Sequence, residues 1–292
     1  MRRVVITGMG AVTPVGNNVN DMWEAVKAGK CGIGKITHFN TENSAVKLAG
    51  EVKGFDAESI VDKAETRGYF DHGWLKTYHT FSFADYYNPG RMQFGALRVL
   101  NDDTVAPGKG FGMHPHNNME VVSIPLQGYL RHGDNVKNER TITPGEIQVM
   151  STGSGMFHSE YNGSMTEVLK FLQIWVVPGV RNTEPKYHNY DIRPFLKHNE
   201  LCTFISPEGG ETPAHLLQDA WFSMGTFDAG QEITYRLNKK NTGVYIFVLE
   251  GSINVQDVPL SRRDGIGVWE VEETQIRSVS GSSVLAIEVP VE

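Results

Sequence analysis

The chain has 292 residues and a formal net charge of −7 at pH 7. This length allows one large domain or two to three ordinary ones. A hydrophobic fraction of 40% with 21% charged residues excludes a disordered or collagen-like chain. An acidic chain without a basic run is a poor candidate for direct binding to nucleic acids. Cys31 and Cys202 are the only cysteines, so the sequence has neither a disulfide framework nor a cysteine-based zinc site.

No apolar run approaches the roughly 18 residues of a membrane span. The first residues have some features of a signal peptide, but Gly8, Gly10 and Pro14 interrupt the apolar stretch and no small-residue cleavage site follows. We therefore expect a reduced, cytoplasmic protein that contacts neither membranes nor nucleic acids directly.

Composition changes near residue 63. Residues 1–62 hold equal numbers of basic and acidic residues, so the whole negative excess lies later in the chain. Nine of the ten histidines also lie after this point. We predict three segments: 1–62, 63–190 and 191–292.

The sequence of the first segment predicts a strand at 3–7, a glycine-rich turn and a helix over Asp21–Ala28. Gly8-x-Gly10 after a strand could indicate a dinucleotide site. We reject this interpretation because the third glycine is missing and Pro14 falls where the helix should open.

Residues 2–16 (Arg-Arg-Val-Val-Ile-Thr-Gly-Met-Gly-Ala-Val-Thr-Pro-Val-Gly), Gly32-Ile-Gly and 49–56 resemble the amino terminus of a β-ketoacyl-acyl-carrier-protein synthase. In that family this piece is scaffold, and the nucleophilic cysteine, two histidines and lysine lie far downstream, in sequence absent here. Cys31 does not match the nucleophile by position. The resemblance therefore implies no condensing activity, and it implies a gene fusion or an artefact at the join.

From residue 67 onward the sequence predicts an all-β fold. Short β-rich runs alternate with Gly, Asn, Asp and Pro, which is typical of a sandwich or barrel. A weak internal repeat predicts two barrels, because 125–128 and 144–150 correspond to 247–251 and 263–269. The predicted strands are Thr80–Phe83, Gly95–Val99, Glu120–Leu126, Ile147–Met150, Val168–Val177, Ala220–Phe227, Glu232–Arg236, Gly243–Leu249, Ser252–Val255, Gly267–Val271, Gln275–Val279 and Ser283–Val289.

Two short motifs carry the main chemical signal. His114-Pro-His116 is followed 44 residues later by His158-Ser-Glu160. Residues i and i+2 of a strand point to one face, so each motif can direct two ligands into a barrel. Three imidazoles and a carboxylate suit a divalent transition metal such as iron, nickel, copper, manganese or zinc.

The residues around these motifs strengthen the prediction, because a His-x-His alone is often a chance occurrence. The spacing is close to the two cupin-barrel motifs, G-x5-H-x-H-x3-4-E and G-x2-H-x3-N. The framing residues are Gly108, Glu120, Gly155 and Asn162. The second half of the chain has no equivalent, since no histidine lies between residues 225 and 279. We expect one metal site, with the second barrel structural or forming a lid.

Five longer stretches closely resemble pirin, from about residue 63 to residue 292. They are Arg-Gly-Tyr-Phe-Asp-His-Gly-Trp-Leu-Lys-Thr-Tyr-His-Thr-Phe-Ser-Phe-Ala (67–84), Phe-Gly-Ala-Leu-Arg-Val-Leu-Asn-Asp-Asp (94–103), Gly-Phe-Gly-Met-His-Pro-His-Asn-Asn-Met-Glu (110–120), Ser-Thr-Gly-Ser-Gly-Met-Phe-His-Ser-Glu-Tyr-Asn (151–162) and Phe-Leu-Gln-Ile-Trp (171–175). The resemblance implies two cupin barrels with one non-haem metal in the first. Iron(II) is the expected ion, with Ni, Cu, Mn, Co and Zn as alternatives. The implied ligands are His114, His116, His158 and Glu160.

The resemblance also implies a function. Bacterial pirins are described as quercetin 2,3-dioxygenases, so a small aromatic substrate and dioxygen are the expected partners, with Glu160 as ligand or base. Animal pirins are described as nuclear iron-dependent transcription cofactors, so the alternative is a metal-dependent regulatory protein with a protein partner and no turnover. A hybrid without a working function is the third interpretation.

The remaining predictions concern residues around the metal. We expect a pocket for a planar substrate to be lined by Phe111, Met113, Phe157 and Trp175, with Met156 beside them, although plain barrel core explains these residues equally well. We expect core packing for His72, Trp74 and His79, and for Glu120 a hydrogen bond from a ligand imidazole.

Overall fold

The computed structural model describes residues 13–16, 19–36, 44–50 and 60–291, with the backbone alone described for Val19, Asn20 and Ile60. The chain divides into two compact units, 1–57 and 58–292. The predicted strand at 3–7 and the Gly8-x-Gly10 motif lie outside the described residues. Among the helices of the described segments, none is long and apolar enough to cross a bilayer.

The first unit contains a short helix and a two-stranded hairpin. Helix α1 spans Val19–Lys27, which confirms the predicted helix with a shift of one or two residues at each end. Strands β1 (Ile33–Lys35) and β2 (Leu48–Gly50) pair antiparallel. Trp23, Ile33 and Leu48 are each more than half exposed, and Cys31 is exposed as well. These described apolar side chains of the unit are therefore largely uncovered.

The second unit is built almost entirely from antiparallel strands. Two short 3₁₀ helices, Ala64–Thr66 and Arg193–Phe195, interrupt them. The strands are β3 (Ile60–Asp62), β4 (Gly68–Asp71), β5 (Leu75–His79), β6 (Leu97–Val105), β7 (Gly110–His116), β8 (Glu120–Gln127), β9 (Leu130–Asp134), β10 (Glu139–Ile142), β11 (Glu146–Ser151), β12 (Met156–Asn162), β13 (Leu169–Val176), β14 (Lys186–Asp191), β15 (Cys202–Pro207), β16 (Ala214–Leu216), β17 (Trp221–Phe227), β18 (Glu232–Arg236), β19 (Thr242–Val255), β20 (Val258–Ser261), β21 (Gly265–Trp269) and β22 (Glu273–Pro290).

These strands form two barrels, as the internal repeat predicted. The first barrel packs a seven-stranded sheet, in the order β14-β11-β8-β13-β6-β5-β4, against a four-stranded sheet, in the order β10-β9-β12-β7. The second barrel consists of a nine-stranded sheet whose main path is β16-β15-β17-β22-β19-β21-β3, with β18 on β22 and β20 on β19. The predicted all-β class is confirmed.

Strand β3 crosses between the halves of the chain. Its residues 60–62 pair with Gly265–Gly267 of the second barrel, while the next strand, β4, belongs to the first barrel. The compact unit thus begins at Glu58, a few residues before the predicted boundary.

Several strand predictions were wrong, either in position or at their ends. Thr80–Phe83 is not a strand, and the strand in this region is β5, at 75–79. The predicted breaks near Gly251 and Gly281 are bulges within the long strands β19 and β22. Gly251 has a φ of +78°, and a Cβ atom there would lie 2.2 Å from the carbonyl oxygen of Gly281. Glycine allows the two strands to bend together at this point without ending them.

An apolar core fills the space between the two barrels. Along β19, Tyr245 and Phe247 face this core, while Val244, Ile246 and Val248 face the interior of the second barrel. The seven-stranded sheet contributes Leu100, Val122, Leu172 and Ile174, and the nine-stranded sheet contributes Phe204, Phe222, Leu285 and Ile287. Because both sheets depend on one shared core, the barrels should not fold separately.

The two barrels have different interiors. The second is filled with aliphatic side chains, among them Ile253, Leu260 and Ile276. The first has an apolar cluster at one end, around Phe171 and Leu130, and another at the other end, around Met150 and Met156. Between these clusters lies a layer of buried histidine, glutamine, serine and glutamate side chains, which forms the candidate site.

We predict that the two barrels unfold in one transition and that Phe222→Ala lowers the free energy of unfolding by about 3–5 kcal/mol, because it leaves a cavity in the shared core. Phe195→Ala, at a position that is 42% exposed, is the matched control and should cost less than about 1 kcal/mol. Urea denaturation followed by tryptophan fluorescence and by circular dichroism measures both. Two separate transitions in the wild-type protein would contradict a shared core.

Candidate metal centre

Strands β7 and β12 carry the candidate ligands. On β12, buried and less buried residues alternate strictly, so Met156, His158, Glu160 and Asn162 point into the barrel. Strand β7 lies at the edge of its sheet, which explains why Pro115 is tolerated between two histidines: an edge position needs no N–H for a second neighbour.

A bulge in β7 aligns the two strands. His158 lies opposite His114, but Glu160 lies opposite Phe111, so Gly112 and Met113 together face Ser159. The extra residue turns Phe111 inward as well as His114. The carbonyl of Gly112, within the bulge, accepts a hydrogen bond of 2.7 Å from Nδ1 of His114.

The structure brings three of the four predicted ligands together. The candidate ligand atoms of His114, His116 and His158 all lie within 4.8 Å of one another. The centroids of their rings are 4.4–4.8 Å apart. Within the described segments, this is the one group of three or more histidine, cysteine or acidic side chains that could hold a metal ion.

The ring nitrogens of this group are free to ligate. Because Nδ1 of His114 donates to Gly112, its Nε2 carries the lone pair. Nε2 of His116 and both ring nitrogens of His158 are buried without a hydrogen-bond partner among the described residues. Buried polar atoms rarely remain unpaired, so these orphaned nitrogens fit a bound cation.

The electrostatics of the site keep two of the imidazoles neutral. Burial, together with the neighbouring His114 and His132, lowers the pKa of His158 to about 3. Burial lowers the pKa of His116 to about 4, and His158 and His114 act in the same direction. Neutral imidazole is the form that ligates metals, so the site is ready for a cation at neutral pH.

Glu160 lies beside the histidines but is not part of their group. Its carboxylate is 1% exposed. Oε1 accepts hydrogen bonds from Ser123 Oγ (2.8 Å) and Gln148 Nε2 (2.7 Å), and Oε2 accepts one from Gln173 Nε2 (2.9 Å). Three donors therefore fix the orientation of the carboxylate. Its role as fourth ligand stays a prediction.

These donors belong to a continuous polar row across the opposite sheet. The cross-strand register joins His79 to Asn101, Asn101 to Gln173, Gln173 to Ser123 and Ser123 to Gln148. All five side chains are buried. One end of this polar row holds Glu160, and the other end faces an open cavity.

A buried His-Asp pair lies next to His158. Nε2 of His132 is 3.0 Å from Oδ2 of Asp134, and the ring of His132 stacks on Tyr187 with centroids 4.1 Å apart. Burial would raise the pKa of Asp134, but hydrogen bonds from His132 and Asn138 outweigh it and hold that pKa below its usual range. The pair supports the wall of the barrel behind His158, where the ring centroids of His132 and His158 are 5.5 Å apart.

A cavity of about 340 Å³ opens beside the histidines. This volume lies within the roughly 300–1,000 Å³ of small-molecule sites. Trp74 packs edge-on against Phe111, and Phe83 packs edge-on against Trp175. The remaining lining residues are His72, Leu75, Thr77, His79, Ala84, Asn101, Asp103, His114, His116 and Gln173.

The structure places two of the four predicted pocket residues at this cavity. Phe111 and Trp175 line the cavity, but Met113 and Phe157 do not and are 58% and 48% exposed. Each is the immediate neighbour of an inward-facing histidine, so the alternation of the strand turns it outward. Met156 is buried in the apolar cluster at one end of the barrel.

The structure places the other residues of these predictions as follows. His79 is buried and Trp74 packs against the apolar cluster around Phe171, as expected of core residues, whereas His72 is exposed, and all three also line the cavity. Glu120 does not meet an imidazole. Its Oε2 accepts hydrogen bonds from Ser151 Oγ (2.8 Å) and from the backbone N–H of Leu217 (3.1 Å), which ties the first barrel to the second half of the chain.

Sequence reasoning missed the polar residues on the strands facing the histidines. Asn101, Gln148 and Gln173 are single polar residues inside apolar runs, and His132-Gly-Asp134 is an i,i+2 pair like the two motifs that were found. A polar side chain in the middle of an apolar strand was the available signal.

A larger cavity lies elsewhere. It measures about 590 Å³, and its lining includes Lys239, Lys240 and Trp269. No cluster of metal-ligating side chains occurs there among the described residues. The chemistry therefore points to the smaller cavity beside the histidines.

Comparison with known proteins agrees with this architecture. The family model Pirin matches residues 60–176, and the model Quercetinase C-terminal cupin domain matches residues 203–289. Quercetin 2,3-dioxygenase from Escherichia coli K12 is 36% identical over 228 residues, which are 78% of this chain and 97% of that protein. The chain belongs to the pirin family.

Other pirin relatives show the same extent of similarity. A pirin-like protein from Caulobacter vibrioides is 36% identical over 222 residues, 75% of this chain and 94% of that protein. The crystal structure of the bacterial pirin YhhW from E. coli in complex with nickel(II) has a TM-score of 0.75 and 35% identity, covering 80% of this chain and 99% of that one. The two-cupin fold of the pirin family is thus confirmed for this chain.

The N-terminal resemblance is also confirmed. The model Beta-ketoacyl synthase, N-terminal domain, matches residues 1–75. It overlaps the start of the Pirin model at residues 60–75.

We predict that His158→Ala lowers metal affinity by at least about 10-fold, because it removes one of three converging imidazoles. Equilibrium dialysis with elemental analysis measures the bound metal. His188→Ala, which changes an exposed histidine on β14, should bind as the wild-type protein does. Unchanged affinity in His158→Ala would show that the metal lies elsewhere.

We predict that the metal-free protein loses stability in acid. His158 and His116 stay neutral in the folded protein, whereas the unfolded chain takes up these protons near pH 6.5, so the unfolded state binds more protons below that pH. The free energy of unfolding should be level above about pH 7. It should fall as the pH drops from about 6.5 toward 4, by up to about 1.4 kcal/mol per pH unit for a histidine such as His158.

Urea denaturation of the metal-free protein between about pH 8 and 4.5 measures this slope. His158→Gln cannot take up the proton and should give a shallower slope in the same window. An identical slope would mean that His158 is protonated alike in both states.

Proposed function

We propose that the chain is a metal-dependent dioxygenase that cleaves a flavonol of the quercetin type with dioxygen and releases carbon monoxide. The observation that carries the proposal is the convergence of three imidazoles, two of them with buried unpaired nitrogens, at the edge of an aromatic-lined cavity. The quercetin 2,3-dioxygenase name of a relative with 36% identity supports it.

His114, His116 and His158 are the residues that would hold the metal ion. We propose iron(II) as the physiological ion, although imidazole sites accept several divalent metals and the YhhW crystal structure contains nickel(II). When bound, the ion supplies a Lewis acid that favours the ionised form of a coordinated hydroxyl.

The aromatic walls position the substrate. Trp74 and Phe111 line one side of the cavity beside His114, and Phe83 and Trp175 line the other beside His116. Flat aromatic faces suit a planar ring system, and apolar walls exclude water from the reacting carbon atoms.

Glu160 is the proposed base for the substrate hydroxyl proton, or the fourth ligand. Its Oε2 accepts a hydrogen bond from Gln173, which itself lines the cavity, so the carboxylate lies one hydrogen bond away from the cavity wall. The donors Ser123 and Gln148 hold the opposite oxygen, which keeps the carboxylate aimed between the histidines and the polar row.

We predict that the metal-loaded protein consumes dioxygen with quercetin and releases one carbon monoxide for each dioxygen. His116→Ala and Glu160→Ala should each lower kcat/KM by at least about 100-fold, because one removes a ligand and the other removes the base or fourth ligand. His188→Ala is the surface control and should turn over normally. Oxygen-electrode traces, with carbon monoxide trapped by reduced haem protein, give both quantities.

The same assay tests the metal. Metal-free protein loaded separately with iron(II), nickel(II), manganese(II) and zinc(II) should be most active with iron(II), and higher turnover with another ion would overturn that choice. Full activity in His116→Ala would defeat the site assignment. Tight metal binding without turnover of any flavonol would favour the regulatory alternative.

A further inference from the structure

Unpaired buried acceptors are concentrated in one wall of the cavity, formed by His79, Asn101 and Asp103, which we call the acceptor wall. Nδ1 of His79, Oδ1 of Asn101 and Oδ1 of Asp103 are inaccessible to solvent and have no hydrogen-bond partner within the described part of the chain. His79 lies directly opposite Asn101 on the adjacent strands β5 and β6, and Asp103 follows two residues later on the same face. All three line the cavity beside the histidines.

Acceptors predominate in the acceptor wall, which also contains the unpaired hydroxyl of Thr77 opposite Asp103. Nδ1 of His79 is unpaired, and a neutral imidazole can present a lone pair there. Burial lowers the pKa of His79 to about 4, so this ring is neutral at neutral pH. A neutral imidazole nitrogen, an amide oxygen and a carboxylate oxygen are all acceptors.

The state of Asp103 depends on pH. Burial raises the pKa of this carboxyl to about 7; the Thr77 hydroxyl opposes the rise, and Asp102 and Glu160 add to it. Above this pH the side chain is a carboxylate and can only accept hydrogen bonds.

The cavity also offers a donor. Nε1 of Trp175 is buried without a partner among the described residues, and the Trp175 ring is 4.7 Å from that of His116. The ring of Phe83 contacts both Trp175 and His79, with centroids 5.2 Å apart in each pair. A matching ligand therefore carries acceptor oxygens near the histidines and hydroxyl donors at its other end.

We propose that the acceptor wall binds hydroxyl groups on the part of the aromatic substrate remote from the histidines, so that the site selects polyhydroxylated flavonols over unsubstituted ones. The inference rests on the proposed function and specifies its substrate class. Buried polar groups built to pair with a ligand hydroxyl reject an analogue that lacks it, because they are then left unpaired.

Two probes test the proposal. Quercetin and 3-hydroxyflavone share the hydroxyl beside the carbonyl, but quercetin alone has further hydroxyl groups. At about pH 8, where Asp103 is ionised, we expect kcat/KM for quercetin to exceed that for 3-hydroxyflavone by at least about 10-fold in the wild-type protein. Asn101→Ala and Asp103→Ala should each reduce this ratio by at least about 3-fold, and the double variant should bring it close to one.

Matched variants separate recognition from damage to the fold. Asp103→Asn keeps the shape and one acceptor oxygen, so its ratio should lie between those of the wild type and Asp103→Ala. Asp103→Asn also tests the proposal if Asp103→Ala does not fold. Thr104→Ala, at the neighbouring position whose side chain points to the other face of β6, should keep the wild-type ratio.

The outcomes also distinguish this inference from the proposed function. If both probes are turned over and neither Asp103→Asn nor Asn101→Ala changes the ratio, the proposal for the acceptor wall is wrong. The proposed dioxygenase function would be unaffected. If neither probe is turned over, the proposed function fails. Dissociation constants of the metal-loaded proteins, from quenching of tryptophan fluorescence, then decide the inference: a quercetin preference lost in Asn101→Ala supports it, and equal affinity for both probes overturns it.

Discussion

The site depends on hydrogen bonds that hold a buried carboxylate inside a barrel. Glu160 projects from one sheet, and Ser123, Gln148 and Gln173 reach it from the other. A buried carboxylate is costly unless several donors meet it, so the polar row and Glu160 require each other. Apolar clusters close both ends of this layer, while His114 and His116 remain partly exposed to the cavity. The second barrel also buries a carboxylate, Glu288, which accepts hydrogen bonds from Tyr235, Asn238 and Thr242, but the rest of its interior is mainly aliphatic.

Strand alternation determined which parts of the site could be predicted. His116 is the second residue after His114, and Glu160 is the second after His158, so each pair shares a face and was found from spacing alone. The same rule excludes Met113 and Phe157, which directly precede an inward histidine and are exposed. Phe111 breaks the rule, because the bulge in β7 shifts the register at Gly112 and Met113.

The rest of the site could be predicted only with knowledge of the order of the strands in the sheet. Asn101, Gln173 and Gln148 come from strands far apart in sequence, and only the pairing β11-β8-β13-β6 makes them one row. The strand boundaries near Gly251 and Gly281 were predicted wrongly, because these glycines bend two long strands where the sequence predicted turns. The barrel repeat and the all-β class could be predicted, because they follow from local periodicity.

Strand β3 connects the evolutionary and the physical organisation of the chain. The synthase-like and pirin-like family matches overlap at residues 60–75, and β3 lies within this overlap. Yet β3 forms the edge of the second barrel, where it covers β21 by backbone pairing. A chain cut to start at β4 would leave β21 as an unpaired edge, open to association with another molecule. The join between the two sequences thus falls in a segment on which the solubility of the distant barrel depends.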